Sequence, residues 1–131
     1  MTHDEIEILV VDDVNTMRMQ IKELLRSFGF RNITVAANGE EAKKFLAEKL
    51  CHLILADWHM IPTDGLELLK YIRATPNLKS IPFVMITAEN TKEKVIEVVK
   101  AGVDDYLMKP LTRGQIETKV YAILLRRKIL G

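Results

Sequence analysis

Short apolar runs alternate with amphipathic stretches along the whole chain. Five runs rich in Val, Ile and Leu predict β-strands at residues 6–11, 33–36, 53–56, 83–87 and 105–108. Strands that read as continuous apolar runs, each followed by a helix, indicate a parallel sheet that is covered on both faces. Right-handed crossovers then give an α/β, doubly wound five-stranded sheet with five helices.

The stretches after the strands carry apolar residues at helical spacing. In chain order, the five predicted helices carry Met17, Ile21, Leu24, Leu25 and Phe28; Ala42, Phe45, Leu46 and Leu50; Leu68, Leu69 and Ile72; Val95, Val98 and Val99; and Ile116, Val120, Ile123 and Leu124. Gly29 and Gly102 are predicted to end the first and fourth helices, and Asn38 or Gly39 to start the second.

Composition narrows the class of protein. The 131 residues are 48% hydrophobic and 28% charged, which fits one folded domain over residues 1–131 and argues against disorder. A formal net charge of +1 gives no basic field for nucleic acid. We also expect no membrane-spanning helix, because the sequence contains no run of about 18 consecutive apolar residues. The single cysteine, Cys51, excludes an internal disulfide, and we expect it to be structural and half-buried in a cytoplasmic protein.

Polar residues gather at the predicted carboxyl ends of the strands. Asp12 and Asp13 follow the first strand, Asp57 follows the third, Thr87 ends the fourth and Lys109 follows the fifth. Ligands of doubly wound sheets bind outside these strand ends, where the strand order reverses. The topology therefore predicts that these five residues meet at one site.

The chemistry of this set favours phosphoryl transfer to a carboxylate. Clustered carboxylates repel one another unless a cation neutralises them, and oxygen ligands suit Mg²⁺. A lysine and a hydroxyl can then stabilise and orient the oxygens of a transferred phosphoryl group. Other interpretations stay open for each residue alone: Asp12 and Asp13 as a helix N-cap, Asp57 as a turn residue, Thr87 as an ordinary strand residue and Lys109 as a surface lysine.

Together these positions resemble the receiver domain of two-component signalling, and most of all its free-standing chemotaxis regulators of the CheY type. The resemblance rests on Asp12-Asp13, Asp57, Thr87-Ala88, Lys109-Pro110 and the loop 57–65, and covers about residues 5 to 128. It implies a flavodoxin-like fold with strand order 2-1-3-4-5.

The resemblance also implies roles at the acidic end of the sheet. Asp57 would accept the phosphoryl group from a histidine kinase of the chemotaxis type, or from a small donor such as acetyl phosphate. Asp13, Asp57 and the backbone carbonyl of His59 would bind Mg²⁺, for which Mn²⁺ could substitute. Asp12 would contact the metal directly or through water.

Further implied roles concern the phosphoryl group and the switch. Lys109, Thr87 and Ala88 would contact the phosphoryl oxygens. Thr87 would then move toward the phosphate, and Tyr106 would turn inward and reshape the surface of the fourth helix, fifth strand and fifth helix. The plain alternative for Tyr106 is a half-buried aromatic residue. Pro110 would follow a cis peptide bond.

Two residues beside the site carry a hypothesis about the lifetime of the phosphate. His59 and Glu89 are hypothesised to set the dephosphorylation rate, and the alternative is that His59 is an exposed side chain whose carbonyl alone is used. Trp58 is expected to be partly exposed. The run Arg126-Arg127-Lys128 is expected to be a solvated helix end, with docking as the alternative, while Leu125, Ile129 and Leu130 either pack down or form an apolar patch.

Three functions stay open at this stage. The first is a monomeric chemotaxis output protein that binds a flagellar motor switch protein when phosphorylated and is reset by a phosphatase. The second is a phosphorelay shuttle that passes the phosphate to a histidine phosphotransfer protein. The third is a receiver domain excised from a larger regulator. None is an enzyme with a separate substrate, because the domain only assists its own phosphorylation and dephosphorylation.

Overall fold

The structure is a computed structural model that describes residues 1–89 and 91–131. Its strands are β1 (Glu7–Val11), β2 (Asn32–Ala36), β3 (Leu53–Asp57), β4 (Phe83–Thr87) and β5 (Asp105–Met108). Its helices are α1 (Asn15–Ser27), α2 (Gly39–Glu48), α3 (Gly65–Ala74), α4 (Lys92–Lys100) and α5 (Arg113–Arg126). Strands and helices alternate along the chain, as the apolar pattern predicts.

The five strands form one parallel sheet in the order β2-β1-β3-β4-β5. The predicted doubly wound topology and its strand order are therefore confirmed. The order reverses between β1 and β3, because the chain leaves β1 toward one edge of the sheet and later continues from β3 toward the other edge. In doubly wound sheets, ligands bind at such a point, outside the carboxyl ends of the strands.

Alternate residues of each strand enter two separate apolar cores, because successive side chains of a strand point to opposite faces. Leu9 and Ile54 belong to the core that packs under α2, α3 and α4. Ile8 and Leu55 belong to the core that packs under α1 and α5. In the described ranges 1–89 and 91–131, no helix is both long and apolar enough to cross a membrane.

Local residues explain where most helices begin. Asn38, Asp64, Thr91 and Thr112 each accept a hydrogen bond in their side chains from the backbone N–H three residues later, which satisfies a donor that the helix leaves free. The N-cap of α1 is Val14, which makes no side-chain cap. The alternative that Asp12 or Asp13 is the N-cap residue is therefore wrong.

Four apolar or aromatic positions differ from the expectation. Leu50 lies beyond the end of α2 and is exposed, and Val99 faces solvent on α4. Trp58, which was expected to be partly exposed, is only 3% exposed because it packs into the core under α3. Cys51 is fully buried rather than half-buried, and burial raises the pKa of its thiol to about 12.

The basic end of α5 is only partly solvated. Arg127 Nη1 lies 2.5 Å from Asp104 Oδ2, and Arg73 Nη2 lies 2.8 Å from Asp104 Oδ1. Asp104 Oδ1 also accepts a 2.8 Å hydrogen bond from the backbone N–H of Phe83. The expectation of a fully solvated run is therefore wrong for Arg127, which ties the end of α5 to the loop between α4 and β5.

The apolar residues near the C-terminus divide between the two expected outcomes. Leu125 is exposed, whereas Ile129 and Leu130 are half-buried and pack against the core under α1 and α5. Most of this segment therefore packs down rather than forming a patch.

Candidate functional site

The register of the sheet brings the polar strand ends together. Val11 pairs with Ala56 and Asp57 pairs with Ile86, so that Asp12 follows β1 beside the end of β3. Thr87 pairs with Met108, and the backbone N–H of Lys109 donates to the Thr87 carbonyl at 2.9 Å. Residues that are far apart in sequence are thus assembled at one end of the sheet by β-pairing alone.

The acidic residues form one cluster. One carboxylate oxygen each from Asp12, Asp13 and Asp57 lies within 4.8 Å of the other two. Asp12 and Asp57 are buried, whereas Asp13 is exposed. Burial raises the pKa of Asp12, an effect that the hydrogen bond from Val14 opposes and the charge of Asp57 reinforces. The cluster therefore holds negative charge in a poorly solvated place, which a bound cation would stabilise.

Two buried oxygens of this cluster have no hydrogen-bond partner among the described residues, namely Asp12 Oδ2 and Asp57 Oδ1. Lys109 Nζ lies 3.0 Å from Asp57 Oδ1, but the contact is an ion pair without hydrogen-bond geometry. Buried carboxylate oxygens are costly when they are left without partners. Hard oxygen ligands that lie this close together fit a divalent cation such as Mg²⁺.

The end of β4 contributes a hydroxyl and an exposed turn. Thr87 is buried, and its Oγ1 accepts a 2.8 Å hydrogen bond from the backbone N–H of Glu89. The hydroxyl proton of Thr87 is not used in that bond, so it stays able to donate. Ala88 lies between these residues and is exposed, which leaves its backbone accessible beside the cluster.

A group of side chains joins the loop after β3 to the loop after β4. His59 Nε2 lies 3.5 Å from Glu89 Oε1, and both side chains are partly exposed. The His59 ring stacks on the Trp58 ring at a centroid separation of 6.3 Å and an interplanar angle of 17°. Lys94, on α4, has its Nζ 5.4 Å from the centroid of the Trp58 ring. The sequence indicated His59 and Glu89 as residues beside the site, but it did not indicate Lys94. The contact of Lys94 with Trp58 could not be predicted from any local sequence pattern.

Tyr106 lies on the strand next to the one that ends at Thr87. It is half-buried on β5, where it pairs with Met85, two residues before Thr87 on β4. Its ring lines a groove of about 520 Å³ between β5 and α5, together with Met108, Gln115 and Lys119. Tyr106 and Thr87 are therefore connected through the pairing of β4 with β5.

Two cis peptide bonds lie near the site. The Lys109–Pro110 bond is cis, and so is the Ile61–Pro62 bond in the loop after β3. The second was not predicted, because an X-Pro sequence alone does not fix the isomer. Ile61, the first residue of this second cis bond, is 80% exposed and lines a hollow beside Asp13 and His59.

Comparison with known proteins gives the family. Residues 8–121 match the family model for the response regulator receiver domain. The chain is 42% identical to chemotaxis protein CheY-3 of Vibrio cholerae over 92% of both chains, and 39% identical to chemotaxis protein CheY of Pseudomonas aeruginosa over 92% of this chain and 97% of that protein.

Solved structures agree with this result. A crystal structure of Vibrio cholerae CheY4 shares 27% identity with a TM-score of 0.85, covering 91% of this chain and 98% of the other. A CheY-like receiver domain from Methanospirillum hungatei shares 25% identity with a TM-score of 0.86, covering 96% of this chain and 98% of the other. Receiver domains are signalling proteins, and the present chain belongs to the response regulator receiver domain family.

Proposed function

We propose that this protein is a two-component signalling receiver that is phosphorylated on Asp57 by a histidine kinase, with Mg²⁺, and then binds a partner through the surface of α4, β5 and α5. One observation carries the proposal: the buried Asp57 carboxylate has Lys109 Nζ at 3.0 Å and lies within 4.8 Å of carboxylate oxygens of Asp12 and Asp13. A carboxylate placed between a cation and a metal site is suited to accept a phosphoryl group.

The metal would be held by Asp12, Asp13, Asp57 and the backbone carbonyl of His59. The buried oxygens Asp12 Oδ2 and Asp57 Oδ1 support this assignment, since neither has a hydrogen-bond partner in the described residues. Mg²⁺ prefers one or two carboxylates together with waters and phosphate oxygens, and Mn²⁺ would substitute. When bound, the cation supplies charge neutralisation between the carboxylates and the incoming phosphoryl oxygens.

The reaction is a transfer of one phosphoryl group. A carboxylate oxygen of Asp57 bonds to phosphorus while the P–N bond of phosphohistidine breaks, and the freed imidazole takes a proton. Lys109 is placed to move its charge from the carboxylate to a phosphoryl oxygen, and Thr87 to donate its hydroxyl proton to another, with the backbone of Ala88 nearby. These groups stabilise charge that develops during transfer.

Switching would pass along β4 to the output surface. Thr87 leaves its bond with the Glu89 N–H to follow the phosphoryl group, and Tyr106, two positions back in the β4–β5 register, turns inward. Such a change shifts a population between two surface states. The names of the curated relatives, which are chemotaxis proteins, support a flagellar motor switch protein as the partner.

The test combines modification with binding. Acetyl phosphate and Mg²⁺ are added, intact-mass spectrometry measures the acyl phosphate, and the treated protein is offered to an immobilised motor switch protein and to a histidine phosphotransfer protein. Retention by the motor switch protein that needs Asp57 supports the proposal. Transfer of the phosphate to the phosphotransfer protein, without motor binding, would favour a phosphorelay shuttle, and no acyl phosphate at all would reject both.

A further inference from the structure

Arg18 reaches back from α1 to the turn that carries the acidic pair. Its Nη1 donates a 2.6 Å hydrogen bond to the backbone carbonyl of Asp12, and its Nη2 donates to Asn15 Oδ1 at 3.1 Å. The side chain is half-buried. A charged donor on a backbone carbonyl makes a strong hydrogen bond, and the planar fork of arginine fixes its direction.

The other polar atoms of Asp12 are also held, except one. Its N–H donates to the Ala36 carbonyl at 3.1 Å, and its Oδ1 accepts from the Val14 N–H at 2.8 Å. Only Oδ2 has no hydrogen-bond partner in the part of the chain that the structure describes. Arg18 therefore completes a set of bonds that leaves a single oxygen of Asp12 for a ligand.

The hydrogen bond from Arg18 to the Asp12 carbonyl lies at the start of a helix that has no side-chain N-cap. The N-cap of α1, Val14, makes no side-chain cap, whereas the N-caps of the other four helices each accept a side-chain hydrogen bond. The Asn15 side chain, which could otherwise bond to the backbone of the turn, accepts a hydrogen bond from Arg18 instead. The turn between β1 and α1 is thus held by Arg18, together with the bond from the Val14 N–H to Asp12 Oδ1, rather than by a side-chain cap.

We propose that Arg18 is a positioning residue that orients Asp12 and Asp13 for divalent-cation binding. The proposal rests on the metal site of the proposed function. The Asp12 carbonyl and the Asp13 N–H belong to one planar peptide unit that also contains the Asp13 Cα, so that a bond to this carbonyl restrains the backbone from which the Asp13 side chain projects. Residues that hydrogen-bond to metal ligands commonly change metal affinity 10- to 100-fold when they are replaced.

The sign of the change separates positioning from electrostatics. Arginine is a cation beside an anionic site, so by charge alone its removal would strengthen the binding of Mg²⁺. Positioning predicts the opposite result. Arg18→Met, which keeps the apolar stem but loses the charge and the donors, is expected to weaken Mg²⁺ binding about 10-fold, at the lower end of that range. Arg18→Lys, which keeps the charge and one donor group, is expected to recover part of the loss.

The experiment titrates the full chain with Mg²⁺ by Trp58 fluorescence and with Mn²⁺ by electron paramagnetic resonance of the free ion. Arg26→Met is the matched control, because Arg26 is an exposed arginine in the last turn of the same helix. A urea unfolding curve shows that each variant is folded. In phosphorylation by acetyl phosphate, the half-saturating Mg²⁺ concentration should rise for Arg18→Met while the maximal rate stays within about twofold of wild type.

The outcomes are distinct. Weaker binding of both ions by Arg18→Met, with partial recovery in Arg18→Lys and no change in Arg26→Met, supports the positioning role. Equal or tighter binding by Arg18→Met would overturn it and leave the metal site standing. If Arg18→Met does not fold, Arg18→Lys decides by the same criterion. If neither wild type nor Arg26→Met binds the ions, the metal site itself fails and the role of Arg18 fails with it.

Discussion

Lys109 Nζ lies 3.0 Å from Asp57 Oδ1 and makes an ion pair without hydrogen-bond geometry. The Lys109 side chain is 31% exposed, whereas that of Asp57 is 4% exposed. A lysine on a flexible stem at the open side of a buried carboxylate can move to a new oxygen without breaking a network. Under the proposed function, we therefore expect Lys109 to matter more for phosphoryl transfer than for the stability of the resting fold.

Replacement of Lys109 should separate metal binding from phosphorylation. Lys109→Met removes a cation beside the acidic cluster, so Mg²⁺ is expected to bind at least as tightly. Phosphorylation by acetyl phosphate is expected to slow about 100-fold, the usual cost of losing one group that stabilises developing charge. Lys100→Met, at the far end of α4, removes the same charge away from the site and should change neither. An unchanged phosphorylation rate in Lys109→Met would contradict the role given to Lys109.

The pair between His59 and Glu89 should govern how long the phosphate lasts. The pair joins the loops after β3 and β4 beside Asp57, and opening it gives water freer access to the acyl phosphate. We hypothesise faster decay of the phosphoprotein in Glu89→Ala and in His59→Asn, measured by intact-mass spectrometry after the donor is removed. Glu93→Ala, which removes an exposed carboxylate from the first turn of α4, is the control. Equal decay in all four proteins would remove the hypothesis.

Gly65 allows α3 to start directly against the end of β3. A Cβ there would collide with the Asp57 carbonyl, lie 2.7 Å from Met85 Sδ and lie 2.9 Å from Trp58 Cα. Gly65→Ala is therefore expected to lower the free energy of unfolding by about 2 kcal/mol, because overpacked positions must shift their neighbours.

Gly114 provides the matched control for Gly65. Within the described ranges, nothing lies within 4 Å of a Cβ built on Gly114, which is in the first turn of α5. Gly114→Ala should therefore be neutral or stabilising by up to about 1 kcal/mol. Urea unfolding of both variants measures the difference, and equal stabilities would show that the close approach at Gly65 costs nothing.

Asp104 holds two arginines and one backbone N–H at the end of the sheet remote from the site. Asp104→Ala leaves Arg73 and Arg127 without their carboxylate and should destabilise the protein by about 3 kcal/mol, the lower end for buried pairs because Arg127 is partly exposed. Asp4→Ala breaks the exposed pair with Arg31, whose side chain is 79% exposed, and should cost less than about 1 kcal/mol. The thermal midpoints of the two variants measure this contrast, and similar shifts would contradict it.

The order of the strands and helices along the chain could be predicted from the sequence. Each segment is either a short, nearly continuous apolar run or a stretch with apolar residues at helical spacing. The strand-end residues Asp12, Asp57 and Lys109 could be predicted to meet because parallel strands align their carboxyl ends. Strand order was less accessible, since it came from family resemblance rather than from the pattern. The apolar pattern of the first helix could not predict the contact of Arg18 with the Asp12 turn. Its hydrogen bond runs from a helix side chain to a backbone carbonyl, and any other polar residue of the helix would fit the pattern equally well.

The wrong expectations for Leu50 and Trp58 have a common physical cause, because both residues lie beyond the last residue of an element. Leu50 continues the helical spacing of α2, but Lys49 is already extended, so that the spacing no longer tells which way the side chain points. Trp58 follows a buried strand, and whether its ring turns inward depends on space under α3 that only the assembled fold defines. The spacing of apolar residues predicts which face of a helix or strand is buried, but it cannot predict burial beyond the last residue of that element.

If Asp57 accepts a phosphoryl group at a metal site, the fluorescence of Trp58 should report the event. Trp58 is the only tryptophan, directly follows Asp57 and is buried, so its fluorescence should respond to charge changes at the site. We expect a change on addition of Mg²⁺ and a further change on addition of acetyl phosphate, with the second lost in Asp57→Ala. A donor-dependent change that persists in folded Asp57→Ala, or no response of wild type at either step, would contradict the account.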